Sequence, residues 1–279
     1  MHKTTIAAAL AAVSVLALSG CKQQAAPTAT NSGSAMAAAG AGIDGTWKAD
    51  LASVQINQKP DELLLQGGKF SCKTCSPAYE VAADGAFHPV KRPYADSMAV
   101  KVDDDHHVTL ISKKGDTQVG MTKYAVSPDG KTLTIDFTDT SVPNGKPVTG
   151  GLTETRAADA PNGAHMVSGS WKIDKYTNVS DEGLKVTYKT DGDMLHMSAA
   201  NGVSYDAKLD GTDAPIKGDT AGTTASVKKT GDNTYEETDK RDGKVVSVTT
   251  FTVGADGKLN VVSEDKTNGS TTKWTATRS

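Results

Sequence analysis

From Gly45 onward the chain repeats its own landmarks in order, at offsets of 122 to 127 residues. Gly45-Thr46-Trp47-Lys48 returns as Gly169-Ser170-Trp171-Lys172. Asp84-Gly85 before Pro89-Val90 returns as Asp210-Gly211 before Pro215-Ile216, and the Asp129-Gly130-Lys131 turn returns as Asp256-Gly257-Lys258. Thr153-Glu154-Thr155-Arg156 returns as Thr275-Ala276-Thr277-Arg278. Two copies at this period mark a duplication rather than a solenoid. The expected units are 43–157 and 165–279, separated by the Gly/Asp/Pro-rich stretch Ala157–Gly163.

Each unit reads as β. Short runs rich in Val, Thr and Tyr, such as Val245–Val253 and Leu259–Ser263, are punctuated by Asp-Gly or Asn-Gly steps at Asp84, Asp129, Asn144, Asp191, Asp210, Asp242, Asp256 and Asn268. Such steps supply the positive φ angles of tight hairpins. Turn signals as a whole recur about every 8–14 residues, which predicts antiparallel meanders in a barrel or sandwich. The best helical candidate is short, Pro60–Leu65. The fold class expected is all-β.

Each unit opens on Gly-x-Trp and closes 107–109 residues later on an Arg, giving the pairs Trp47/Arg156 and Trp171/Arg278. This resembles the calycin group, which includes lipocalins and fatty-acid-binding proteins. There a Trp on the first strand lies under an Arg near the last and closes one end of a meander barrel. The resemblance implies two tandem lipocalin-like antiparallel barrels or sheets, with Trp47, Arg156, Trp171 and Arg278 as closure residues. An Arg over an indole gains about 0.5–2 kcal/mol, and its remaining donors can satisfy backbone carbonyls at the closure. Lipocalins that hold ligands are longer per barrel, so these units either pack solid or join into one larger sheet system. The chain also resembles uncharacterised exported bacterial proteins with Gly-Thr-Trp-Lys openings, a likeness that brings no activity with it.

The N-terminus reads as an export signal. His2-Lys3 is followed by an apolar run, Ile6–Leu18, too short to span a bilayer comfortably, and then by Leu18-Ser19-Gly20-Cys21. Leu-Ser-Gly-Cys resembles the lipobox of bacterial lipoproteins. That resemblance implies removal of 1–20, acylation of Cys21, and attachment to the membrane through its lipid. Lys22 after the acylated Cys implies, by analogy with enterobacterial sorting, an outer-membrane anchor with a periplasm-facing body. Residues 21–42 form a tether of Ala, Gly, Ser, Thr, Pro and Gln, with an r.m.s. span of about 25 Å.

Net charge is −3, with the signs interspersed and no basic stripe. That argues against nucleic acid as a partner and leaves the acyl chains as the only membrane attachment. No nucleophile elbow, His-Glu-x-x-His or phosphate loop is present. The carboxylates read as scattered through turns, with no apolar pocket to raise a pKa, so catalysis is not expected and neither a cofactor nor a metal is assigned.

Cys72-Lys73-Thr74-Cys75 is the one chemical motif of the folded part. In an oxidising compartment an even pair reads first as a local disulfide pinning a turn. A redox pair would need a helix N-terminus, and a metal site would need two further ligands, for which His88, His106 and His107 are in the same unit. The second unit lacks the pair. Asp103–His107 reads as a solvated turn, and His165 and His196 as surface or packed side chains.

Three functions remain: a module binding a small hydrophobic ligand or an envelope partner, a solid-packed structural, inhibitor or interaction protein, and a Cys/His metal handler.

Overall fold

The structure is a computed structural model that describes residues 42–279. The leader, the expected lipidation site at Cys21 and the tether up to Ala41 lie outside the described residues. No helix of the described residues is long and apolar enough to cross a membrane.

The chain opens on β1 (Gly45–Ala49) and β2 (Gln55–Asn57). Ten consecutive strands follow: β3 (Asp61–Gln66), β4 (Lys69–Cys72), β5 (Tyr79–Ala82), β6 (Phe87–Arg92), β7 (Ala95–Val102), β8 (His107–Lys114), β9 (Thr117–Val126), β10 (Thr132–Asp139), β11 (Val148–Ala158) and β12 (Gly169–Thr177). A helical turn, α1 (Asp181–Leu184), leads into β13 (Lys185–Asp191), β14 (Met194–Ala199), β15 (Ser204–Lys208), β16 (Asp210–Pro215), β17 (Thr224–Gly231), β18 (Thr234–Arg241), β19 (Lys244–Val253), β20 (Leu259–Asp265) and β21 (Ser270–Arg278).

These strands form two nearly closed antiparallel barrels. Barrel one is the meander β3 to β12, with β12 returning to pair with β3 and the seam lying between β5 and β6. Barrel two is β13 to β21, completed by β1, which sits between β13 and β21. Its seam is stitched by reciprocal Ser204–Lys217 backbone bonds of 3.1 and 2.7 Å.

The repeat and the barrel therefore do not coincide. The first strand of each repeat completes the barrel of the other: β1 enters barrel two and β12 enters barrel one. The units 43–157 and 165–279 are thus corrected, because each gives up its Trp strand to its neighbour. Barrel one is continuous over 61–177, whereas barrel two combines 185–278 with 45–49. β2 stays with barrel two, paired to β21, so the chain crosses between barrels at 58–60 and at 178–184. At the second crossing Asp181 of α1 binds Lys48 of β1 at 2.7 Å and Lys185 of β13 at 2.5 Å. Those two ammonium groups, Lys185 first, hold the Asp181 carboxyl down at about 2.

Alternation builds the interiors. In β19 Ser247, Thr249, Phe251 and Val253 turn inward, and in β10 Leu133, Ile135 and Phe137 do the same. The Asp242-Gly243 turn between β18 and β19 places both residues at positive φ, 50° and 72°, as a two-residue hairpin requires. The segment expected as a short helix, Pro60–Leu65, is instead largely β3. Its period is two, with Leu63 and Leu65 buried, and ladders to β4 and β12 override the helix propensity of the Leu run.

The mouths of the barrels meet. Tyr94, in the β6–β7 turn of barrel one, receives a 3.1 Å hydrogen bond from Arg241 of barrel two. The Lys146 backbone N–H donates to Asn201 O at 3.1 Å.

Candidate functional site

At the closed ends, each Gly-x-Trp strand meets an Arg. Arg156 Cζ lies 4.0 Å from the Trp171 ring centroid, and Arg278 Cζ lies 4.3 Å from that of Trp47. The pairs Trp47/Arg156 and Trp171/Arg278 are thereby corrected: the same four residues meet crosswise. The cause is the strand exchange, since the two repeats carry the same motif and the offset alone does not say which barrel a strand enters.

Arg156 also donates to Gly130 O, Ser168 O and Met166 O at 2.5, 2.7 and 2.8 Å. Arg278 donates to Gly42 O and Asp44 O. Trp171 Nε1 donates to Val167 O and Trp47 Nε1 to Ile43 O. The Gly of the motif has a physical reason. At Gly45 and Gly169 φ is +128° and +127°, and a Cβ would stand 2.7 and 2.5 Å from the Arg Nη1 that crosses it.

The opposite end of barrel one holds a cavity of about 400 Å³, within the range of small-molecule sites. Leu63 and Asp61 of β3, Tyr124 of β9, and Ile173 and Tyr176 of β12 line it. The Cys72–Pro77 loop forms one wall, and Thr267 to Ser270 of the β20–β21 turn bring barrel two to the rim. The cavity is therefore mixed in polarity rather than an oily slot. Burial, with the negative charges of Glu154 and Asp61 close by, raises the Tyr176 hydroxyl well above its ordinary value. Tyr124 is raised by the same causes and by Tyr79. Tyr79 is pushed up to about 12, chiefly by burial, and its buried hydroxyl has no hydrogen-bond partner. Arg92 lies over the Tyr79 ring at 4.7 Å.

Cys72 and Cys75 are joined as a disulfide, with Cα atoms 5.4 Å apart. It ties the end of β4 to the loop that walls the cavity, and the bond occupies the sulfurs a metal site would use. The histidines named beside it bind locally: His88 to Asp84, His106 to Val126 O, and His107 to Asp104. In the Asp103–His107 turn, the His106 N–H and the His107 ring hold the exposed Asp104 carboxyl below its usual value. His165 contacts Asp104 O and His196 contacts Asp206. No group of three or more metal-ligating side chains converges among the described residues.

Barrel two carries a different polar interior. Inward positions of β18 are Tyr235, Glu237 and Asp239. Glu237 is 1% exposed and accepts the Tyr205 hydroxyl at 2.5 Å. Asp239 accepts Ser247 Oγ at 2.8 Å. The expectation that every carboxylate sits in a turn is corrected here. Burial, reinforced by the Asp239 charge, holds Glu237 well above the ordinary range. Burial lifts Asp239 to about 7, with Asp219 adding to the rise and Ser247 and Arg241 opposing it.

Both folded values exceed the unfolded ones, so the folded state binds more protons. The associated stability is full below about pH 4 and is lost as pH rises through about 7. The melting midpoint is expected to rise by about 5–10 °C between pH 8 and pH 5. Thermal melts of the Glu237→Gln/Asp239→Asn double variant should flatten that slope.

Sequence reasoning missed the cavity residues Leu63, Tyr124, Ile173 and Tyr176 and the inward carboxylates Asp61, Glu154, Glu237 and Asp239. The signal of the carboxylates was phase. Glu154 shares the parity of buried Leu152, Glu237 and Asp239 that of buried Tyr235, and Asp61 that of buried Leu63, so each carboxylate takes an inward position. No protein-family model, curated protein or solved structure matches this chain.

Proposed function

We propose that the chain is the body of a lipid-anchored envelope lipoprotein whose first barrel binds a small molecule at its mouth. The observation that carries this reading is the cavity of about 400 Å³ lined by Asp61, Leu63, Tyr124, Ile173 and Tyr176. These five residues belong to strands held by ladders on both sides, and rigid elements make precise sites. At the facing end of barrel two, Arg241 lies over the Tyr94 ring at 5.3 Å and donates to its hydroxyl. That contact supports a packed, interaction-type role for barrel two, and the cavity favours barrel one for the ligand. Acylation of Cys21 and an outer-membrane, periplasm-facing location complete the proposal on the strength of Leu18-Ser19-Gly20-Cys21 and Lys22.

Native mass spectrometry of Ala41–Ser279, exported to the periplasm and purified without detergent, tests the ligand. A mass excess that vanishes on denaturation, and that an Ile173→Trp substitution filling the cavity removes, is the expected result. An apo mass in both proteins would overturn it. Incorporation of labelled palmitate into the full chain, lost in Cys21→Ser, tests the anchor.

A further inference from the structure

Tyr124 and Tyr176 are 4% and 9% exposed and line the cavity, yet neither hydroxyl is hydrogen-bonded to another described residue. Two largely buried phenols thus border a partly open cavity with no protein partner for their hydroxyls among the described residues. Asp61 lines the same space, and the Glu154 carboxyl is buried close enough to act on both phenols. Arg92 opposes these charges at Tyr124 and is itself engaged with the Tyr79 ring and with Pro77 O at 3.2 Å. Lys59 and Lys73 also line the cavity but are exposed, where solvent and salt screen them.

We propose that the mouth of barrel one takes a small organic cation, a primary ammonium on a compact apolar body, held by Asp61 and by the hydroxyls of Tyr124 and Tyr176. This rests on the ligand-binding reading above. An ammonium offers three donors, and one carboxylate with two phenol oxygens supplies three acceptors. Tyrosine faces add attraction for a desolvated cation, worth roughly tenfold in affinity. Leu63 and Ile173 give the apolar body its contact. An anion of the same shape would meet Asp61 and Glu154 in a poorly screened space and be repelled.

Saturation-transfer NMR on the full chain in detergent, with phenethylammonium, 2-phenylethanol and phenylacetate as isosteric probes, tests this. Phenethylammonium should bind at least tenfold more tightly than either of the others. Asp61→Asn should weaken it at least tenfold, and Lys73→Ala should leave it unchanged or tighter. Tyr176→Phe, which keeps the ring and drops only the hydroxyl, should weaken it several-fold and guards against a folding defect in the Asp61 variant. Equal binding of the three probes, or a preference for phenylacetate that depends on Lys73, would overturn the cation and leave the ligand site standing. Binding of none would overturn both readings. Undiminished phenethylammonium binding in Tyr176→Phe and Asp61→Asn together would overturn the assignment of these residues.

Discussion

A fragment of residues 58–180 is expected to fold cooperatively on its own, and a fragment of residues 43–157 is expected not to. The first carries β3 to β12, with Arg156 facing Trp171 and every ladder of barrel one intact. The second follows the sequence repeat and loses β12. Trp171 and Tyr176 leave the interior with it, and the β3 and β11 edges lose their shared neighbour. Removing one large aromatic from a core costs about 3–5 kcal/mol, and a domain's whole net stability is about 5–15 kcal/mol. Two such losses plus two open edges exhaust it. The orphan β1 is a poor substitute. It is five residues long against nine, and its chain turns away at Asp50 into a short 3-10 turn, so it offers only Ala49 at the position of Ile173 and no strand residue at that of Tyr176. Circular-dichroism melts and amide dispersion in NMR spectra decide it. A stable, dispersed 43–157 monomer matching 58–180 would mean that the strands do not exchange.

Much of the architecture was legible in the residues because local rules and tertiary structure agree. Asp-Gly and Asn-Gly steps such as Asp242-Gly243 mark hairpins through a φ requirement that no neighbour can override. Alternation in β18 and β19 fixes which side chains turn inward. The Gly-x-Trp and Arg landmarks were readable for a reason now visible, as the Arg guanidinium passes over the Gly where no Cβ fits.

Strand ownership was not legible. Trp47 and Trp171 lie in near-identical local sequences, so the preference of each for the other repeat's barrel is carried by the whole wall it completes. Nor was the cavity: Asp61, Tyr124 and Ile173 are more than 40 residues apart in the chain, and only barrel closure gathers them. The buried carboxylates were discounted because their type suggests turns, although their phase placed them inside.

The crosswise closure makes a sharp energetic prediction. Trp171→Ala is expected to destabilise barrel one by about 3–5 kcal/mol, lowering its melting midpoint by roughly 10 °C or more. Trp171 is fully buried and its Nε1–H is satisfied by Val167 O, so truncation leaves a cavity and an unpaired carbonyl. Arg156→Ala removes the same stacking contact together with three carbonyl bonds. The double variant should therefore cost less than the sum, with a coupling of about 0.5–2 kcal/mol from the cation–π contact. Arg156→Ala combined with Trp47→Ala should instead be additive to within about 0.5 kcal/mol, because Trp47 lies in the other barrel under Arg278. Thermal and urea unfolding of the three single and two double variants measures both couplings. Coupling of Arg156 to Trp47 in place of Trp171 would return each strand to its own repeat, and the cavity wall built by β12 would then have to be rebuilt from β1.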